Sequence, residues 1–188
     1  MRDLESALND IRAIAKSRDT KALSAIVFEI EVIVNAVDVL PDVFVVGLSE
    51  ILRDVTFLSV TDSWKVVKFF YDSWEQLTSD QCEGLRSVLI SSFDKYGDWM
   101  GAFVTVEILG ERFADERALE SLAELATTAK LPERAAVPHG MELVAKTARD
   151  QRLRALAIKR LEDLASSSIE EMRDEALLAL RHTRHDPQ

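Results

Sequence analysis

Apolar residues recur at helical spacing along most of the chain. Leu119, Leu122, Ala126 and Ala129 share one helix face, Leu153, Ala157, Leu161 and Leu164 a second, and Ile169, Met172, Ala176 and Leu180 a third. Boundary signals flank these runs: Thr78 with Gln81, and Ser168 with Glu171, have capping-box spacing, and Gly97 after "DKY" reads as a helix terminator. The pattern predicts about ten helices, near 3–16, 19–38, 42–55, 62–77, 79–95, 98–113, 115–130, 133–148, 150–166 and 168–183. Their connections are short, which makes consecutive helices antiparallel neighbours. Only 6 Gly and 4 Pro occur, too few to turn an all-β chain, so the expected fold class is all-α.

One stretch is ambiguous. "AIVFEIEVIVNAVDVLPDVFVVGL", residues 25–48, alternates Phe28, Ile30 and Val32 with Glu29 and Glu31, as a half-buried strand would. At helical spacing, however, Ser24, Glu31, Asn35 and Asp38 fall within one narrow stripe, and nearly all other positions from Ala22 to Val37 are apolar. Helix therefore accounts for more residues. After Pro41 a second helix is expected, with Phe44, Leu48, Ile51, Leu52 and Val55 inward and Glu50, Arg53 and Asp54 outward. Glu29 lies away from the polar stripe, flanked by Ala25, Val32, Ile33 and Ala36, so a buried, hydrogen-bonded carboxylate or one reaching a groove is expected there.

Toward the C-terminus the segments repeat. "ADERALESLAELA" and "RDQRLRALAIKRLEDLA" each open on an acid, at Asp115 and Asp150, and Asp80 opens "DQCEGLRSVLI" upstream. Over residues 80–183 this spacing resembles the HEAT and armadillo-like helical-repeat family. The resemblance implies stacked antiparallel helical hairpins, a HEAT-like α-solenoid, and a habit of binding proteins along a concave surface. One all-α domain over 1–188 is expected, with an acidic part at 1–110 and the clearer repeat at 115–183.

Charge changes the picture more than composition does. The net charge is −10, and residues 1–110 hold 18 acids against 10 bases. Between Ala22 and Trp64, seven acids (Glu29, Glu31, Asp38, Asp42, Glu50, Asp54 and Asp62) meet one base, Arg53. Such a surface repels phosphate backbones and draws in basic partners. The single cysteine, Cys82, precludes an intrachain disulfide, no basic and apolar leader opens the sequence, and no charge-free run approaches the length of a membrane span. A cytoplasmic protein without a membrane segment is expected.

The remaining chemistry-bearing residues have structural explanations. The aromatic segment "TDSWKVVKFFYDSWEQL" reads as a helix packed on two sides, with Trp64 or Trp74 at the margin. His182 and His185 lack an evident third ligand, and His139 in "VPHGM" lacks a recognisable nucleophile. Neither Gly-x-Ser-x-Gly, His-Glu-x-x-His nor a phosphate-binding glycine loop is present. Glu116, Glu120 and Glu124, like Glu170, Glu171, Asp174 and Glu175, read as solvated faces. Arg149, Arg152, Lys159 and Arg160 form a short basic strip with Asp163, the one feature in common with helical-repeat DNA glycosylases.

These readings converge on a non-enzymatic protein-binding module with no cofactor and no metal. A small acidic chain of this kind resembles bacterial immunity proteins, which cap toxins; the expected partner is a basic protein, such as a nuclease toxin domain, rather than nucleic acid. Glu31, Asp38, Asp42, Glu50 and Asp54 are the expected contacts, with Trp64 as an aromatic anchor. A scaffold or adaptor with a concave peptide-binding face is the first alternative. A glycosylase or lyase on the helical-repeat scaffold, using Arg152 or Lys159, is the second.

Overall fold

The computed structural model describes residues 3–185, and they form an all-helical chain. Eleven α-helices occur among them: α1 (Leu4–Ser17), α2 (Thr20–Val34), α3 (Asp42–Ile51), α4 (Val55–Leu58), α5 (Trp64–Asp72), α6 (Ser79–Ser92), α7 (Met100–Glu107), α8 (Glu116–Thr128), α9 (Val137–Thr147), α10 (Gln151–Leu164) and α11 (Glu170–His185). No helix among the described residues is long and apolar enough to cross a membrane. The chain divides after Val104 into two compact units.

The first unit carries α1 to α6. α1 packs against α2, α3 and α4, α2 against α5, and α3 against α6. Its core is aromatic: Phe44, Phe57, Phe69, Phe70 and Phe93 are almost wholly buried, and the Phe44 and Phe69 rings meet edge to face at 6.0 Å. Side-chain amides close the helix ends. Gln76 Nε2 donates to the carbonyl of Val34, the last residue of α2, at 3.1 Å and to that of Val37 in the following turn at 2.9 Å; the Val34 carbonyl also accepts the Val37 N–H. Gln81 makes the expected capping box with Thr78 at the start of α6, and its Nε2 also donates to Leu40 O at 2.9 Å and Asp42 Oδ1 at 2.6 Å. The connection between α2 and α3 is thereby tied at both ends.

The second unit centres on α9, which packs against α8, α10, α11 and a π-helical turn over Ile108–Phe113. Backbone meets backbone where that turn crosses α9. A Cβ on Gly110 would lie 2.3 Å from Gly140 O, and one on Gly140 would lie 2.9 Å from Val106 Cβ. Glycine is required at this crossing by space.

Several boundaries differ from the periodicity. The stretch at 42–55 divides into α3 and the one-turn α4, because Asp54 accepts from Thr56 N at 2.8 Å and starts a new helix. Val55 thus becomes an exposed first-turn residue instead of a core one. The aromatic helix stops at Asp72 and continues as a 3₁₀ turn over Trp74–Gln76, the turn that aims Gln76 at α2. Gly97 follows the end of α6 by several residues; its N–H donates to Leu58 O at 2.8 Å, and a Cβ there would meet Ser59 O at 2.6 Å, so close approach explains it. α11 begins at Glu170, and Ser167 Oγ, not Ser168, accepts from Ile169 N–H at 3.1 Å. Aspartate is the recurrent N-cap, at Asp3, Asp19, Asp54, Asp115 and Asp150. Asp115 and Asp150 therefore share a capping role, whereas Asp80 sits inside the first turn of α6, which Thr78 caps.

Two variants test these constraints. Gln81→Leu should lower unfolding free energy by about 1–3 kcal/mol in denaturant titration, since it strands the Leu40 carbonyl and the Thr78 amide. Gly110→Ala should cost about 1–3 kcal/mol by forcing α9 away from the π turn, while Gly84→Ala, where a Cβ meets nothing within 4 Å, serves as control.

Candidate functional site

The six expected contact residues occupy distinct places in the first unit. Asp42 and Glu50 lie on one side of a groove of about 660 Å³ between α1 and α3. Glu31 and Trp64 line a smaller hollow between α2 and α5. Asp38 is exposed in the α2–α3 connection, and Asp54 is exposed but engaged as the cap of α4. The acids expected to form one surface are therefore divided between two concavities and two loops.

The α1/α3 groove is built by a close contact. Leu8 of α1 lies against Gly47, where a Cβ would approach Leu8 Cδ1 to 2.7 Å, and these residues with Phe44 form the floor. Above it, α3 turns Val43 and Val46 outward, 81% and 54% exposed. The rim is polar and mostly acidic. Glu5 and Asn9 rise from α1 and Asp42 and Glu50 from α3, and the one base among the described lining residues, Arg12, reaches Glu50 Oε2 at 3.5 Å. Asp42 opens α3 in its first turn, a favourable place for a carboxylate, and receives the Gln81 amide. Val43, Val46, Glu5 and Arg12 escape the sequence reading because an outward valine and an inward one differ only in what lies opposite.

On α2 the buried face is Leu23, Ile26, Val27, Ile30 and Val34, with the polar stripe half-buried to exposed on one side of it and further apolar residues exposed on the other. The stripe of Ser24, Glu31 and Asn35 turns toward α5: Lys65 Nζ donates to Ser24 Oγ at 2.7 Å and pairs with Asp62 at 2.9 Å, while Lys68 pairs with Asp72 at 2.6 Å. Outward stand Ala25, Phe28, Glu29, Val32 and Ala36, with Phe28 and Val32 more than half exposed. Glu29, expected buried or in a groove, is an exposed carboxylate on this apolar face. α2 packs through Leu23, Ile26, Val27, Ile30 and Val34, and Lys65 ties Ser24, at the edge of that face, to α5.

The second unit holds a polar cluster that the sequence did not connect. Glu142 on α9 is buried, and its Oε1 accepts from Lys146 Nζ at 2.7 Å and lies 3.2 Å from His182 Nδ1 of α11. His139 Nδ1 stands 3.6 Å from Glu142 Oε2, and its Nε2 stands 4.0 Å from Glu107. Burial alone would raise the Glu142 carboxyl, but hydrogen bonds from His139 and Lys146, with the charges of Lys146 and His182, outweigh it and hold the group at about 2. His139, Glu142 and Lys146 share one helix face by spacing; His182 joins only through the packing of α11 on α9. Among the described residues no group of three or more His, Cys, Asp or Glu side chains is arranged to hold a metal ion.

The basic strip is exposed as expected, but Arg149 and Arg152 enter a groove of about 610 Å³ together with Glu111, Asp115, Glu116 and Asp150. Mixed charge replaces the uniformly basic surface a phosphate backbone selects.

The sign of the Glu142 effect is fixed by its lowered pKa. Its ionised form stabilises the fold above the ordinary value of 4.5, and that contribution is lost as pH falls toward about 2. Glu142→Gln should thus be markedly less stable than the parent at pH 7, and the difference should shrink between pH 4.5 and 2, read by thermal unfolding across that window.

No protein-family model matches the chain, and neither a curated protein nor a solved structure matches it.

Proposed function

We propose that the chain is a binding protein that captures a basic protein partner in the groove between α1 and α3, acting as an inhibitor of the immunity type. The carrying observation is an apolar centre with an acidic rim: Val43 and Val46 stand exposed between Glu5, Asp42 and Glu50. Protein interfaces combine such a dry centre with a polar rim, and contiguous exposed apolar surface rimmed by polar residues is a mark of interaction sites. Charge complementarity selects the occupant. A partner helix or loop bearing apolar side chains would fill the space over Val43 and Val46 while its Lys or Arg residues reach the rim carboxylates. Asp38 extends the acidic field beside the groove. Long-range attraction of this sort raises the association rate and weakens with salt.

The HEAT-like architecture fits the same reading. Omitting the one-turn α4, packing in the first unit runs mainly between helices two places apart, α1 with α3, α2 with α5 and α3 with α6, while α8 to α11 also pack against their immediate neighbours. Hairpins stacked in that order present one helix of each pair to a partner. No covalent chemistry is assigned to the chain in this reading, and the mixed charge beside Arg149 and Arg152 supports a protein ligand over a nucleic acid.

Immobilised chain should retain a basic protein from native lysate at low salt and release it at high salt. Combining Glu5→Lys with Glu50→Lys should weaken that binding at least about tenfold, mostly through the association rate. Val46→Asp should weaken it through faster dissociation, whereas Glu75→Lys, in the separate hollow beside Asn35, should leave it unchanged. Equal retention by all four proteins would overturn the site.

A further inference from the structure

We propose that the outward face of α11 is a self-complementary contact on which two copies of this chain pair as antiparallel helices, independently of the α1/α3 groove. α11 buries Met172, Ala176, Ala179 and Leu180 against its own unit. Its opposite face carries Glu171, Asp174, Leu177, Leu178, Arg181 and Arg184, all exposed, with the two leucines 40% and 43% accessible. Acids occupy the first half, bases the second, and the leucines the middle.

This order has a symmetry that one helix alone does not need. In an antiparallel pair centred between Leu177 and Leu178, Leu177 meets the partner's Leu178, Asp174 meets the partner's Arg181, and Glu171 meets the partner's Arg184. Each contact occurs twice about the two-fold axis, the defining property of an isologous interface. The helix dipole favours acids early and bases late, which explains the order of charge along α11. It gives no reason for two adjacent leucines to face water between them. The pairing supplies both: the leucines lose water together, and each acidic half lies along a basic half.

Competing contacts within one copy are weak. Arg184 reaches Glu162 at 3.6 Å, and Arg173 reaches Asp174 at 3.3 Å and Glu170 at 3.9 Å, all between side chains well open to solvent. A single helix face is smaller than the roughly 800 Å² per partner of a standard stable interface, so the dimer is a weak one, micromolar or above in dissociation constant, and salt-sensitive.

Sedimentation equilibrium on the full chain, over concentrations reaching about 1 mM, tests the proposal. The parent should shift from monomer to dimer as concentration rises, and high salt should weaken the dimer. Asp174→Arg alone and Arg181→Asp alone should each weaken it by about tenfold, because each places like charges opposite twice. An equimolar mixture of the two variants should recover the dimer as a heterodimer, since both crossed contacts are again attractive; misfolding of either variant could not produce that recovery. Leu178→Glu should abolish association. A parent that stays monomeric throughout, a dimer indifferent to the single reversals, or a mixture no stronger than its components would each overturn the proposal.

Discussion

The first unit depends on two glutamine side chains. A helix ends with carbonyls that lack partners, and a buried carbonyl without a hydrogen bond is costly. Gln76 reaches back to the Val34 carbonyl at the end of α2 and the Val37 carbonyl beyond it, and Gln81 reaches the Leu40 carbonyl just before α3 while closing the start of α6. Because the Leu40 N–H also donates to the Gln76 carbonyl at 2.9 Å, the whole α2–α3 connection is held by one short segment of chain, from the 3₁₀ turn to the first turn of α6. The position of α3 follows from that anchorage. So does the groove, since α3 supplies both its apolar wall and two of its carboxylates.

The second unit solves a related problem with different means. Its central helix α9 approaches the π turn so closely that only glycines fit at the crossing, and α9 must also carry a buried carboxylate. Glu142 is tolerated because a lysine one turn along and two imidazoles, one from α11, surround it. Desolvation opposes the charge, and the hydrogen bonds and neighbouring charges overcome it. The apolar packing of Met172, Ala176, Ala179 and Leu180 sets which side of α11 faces outward, and the His182 contact to Glu142 adds a polar tie to it.

Helix content is legible in the chain because the apolar spacing of α8, α10 and α11 is regular, and the residues on those faces are buried except Leu164 and Ile169, half-buried at the helix ends. Legibility failed where tertiary partners decided orientation. Spacing does not show that Lys65 of α5 reaches Ser24, nor that Phe28, Val32, Val43 and Val46 stand exposed because nothing packs over them. Gly97 shows the same limit, since a glycine demanded by a distant carbonyl is indistinguishable in sequence from one that ends a helix. Asp42 and Glu50 were identified together and do share a groove, whereas Glu31 and Trp64 line another, because the two pairs rise from different helix pairs.

Net charge also needs to be apportioned before it is read as a docking signal. Asp3, Asp19, Asp54, Asp115 and Asp150 each accept an amide at a helix start, and Asp42 accepts the Gln81 amide. Lys65 and Lys68 hold Asp62 and Asp72. A carboxylate engaged in this way still contributes to the long-range field, which depends on charge alone, but it contributes little to a short-range contact because its lone pairs already have donors. Attraction at a distance and recognition at contact are thus borne by different residues. In the proposed reading, the N-terminal excess of acid as a whole would draw a basic body toward the first unit, and the rim carboxylates set beside exposed valine, Glu5 foremost because Glu50 already meets Arg12, would decide where on that unit it comes to rest.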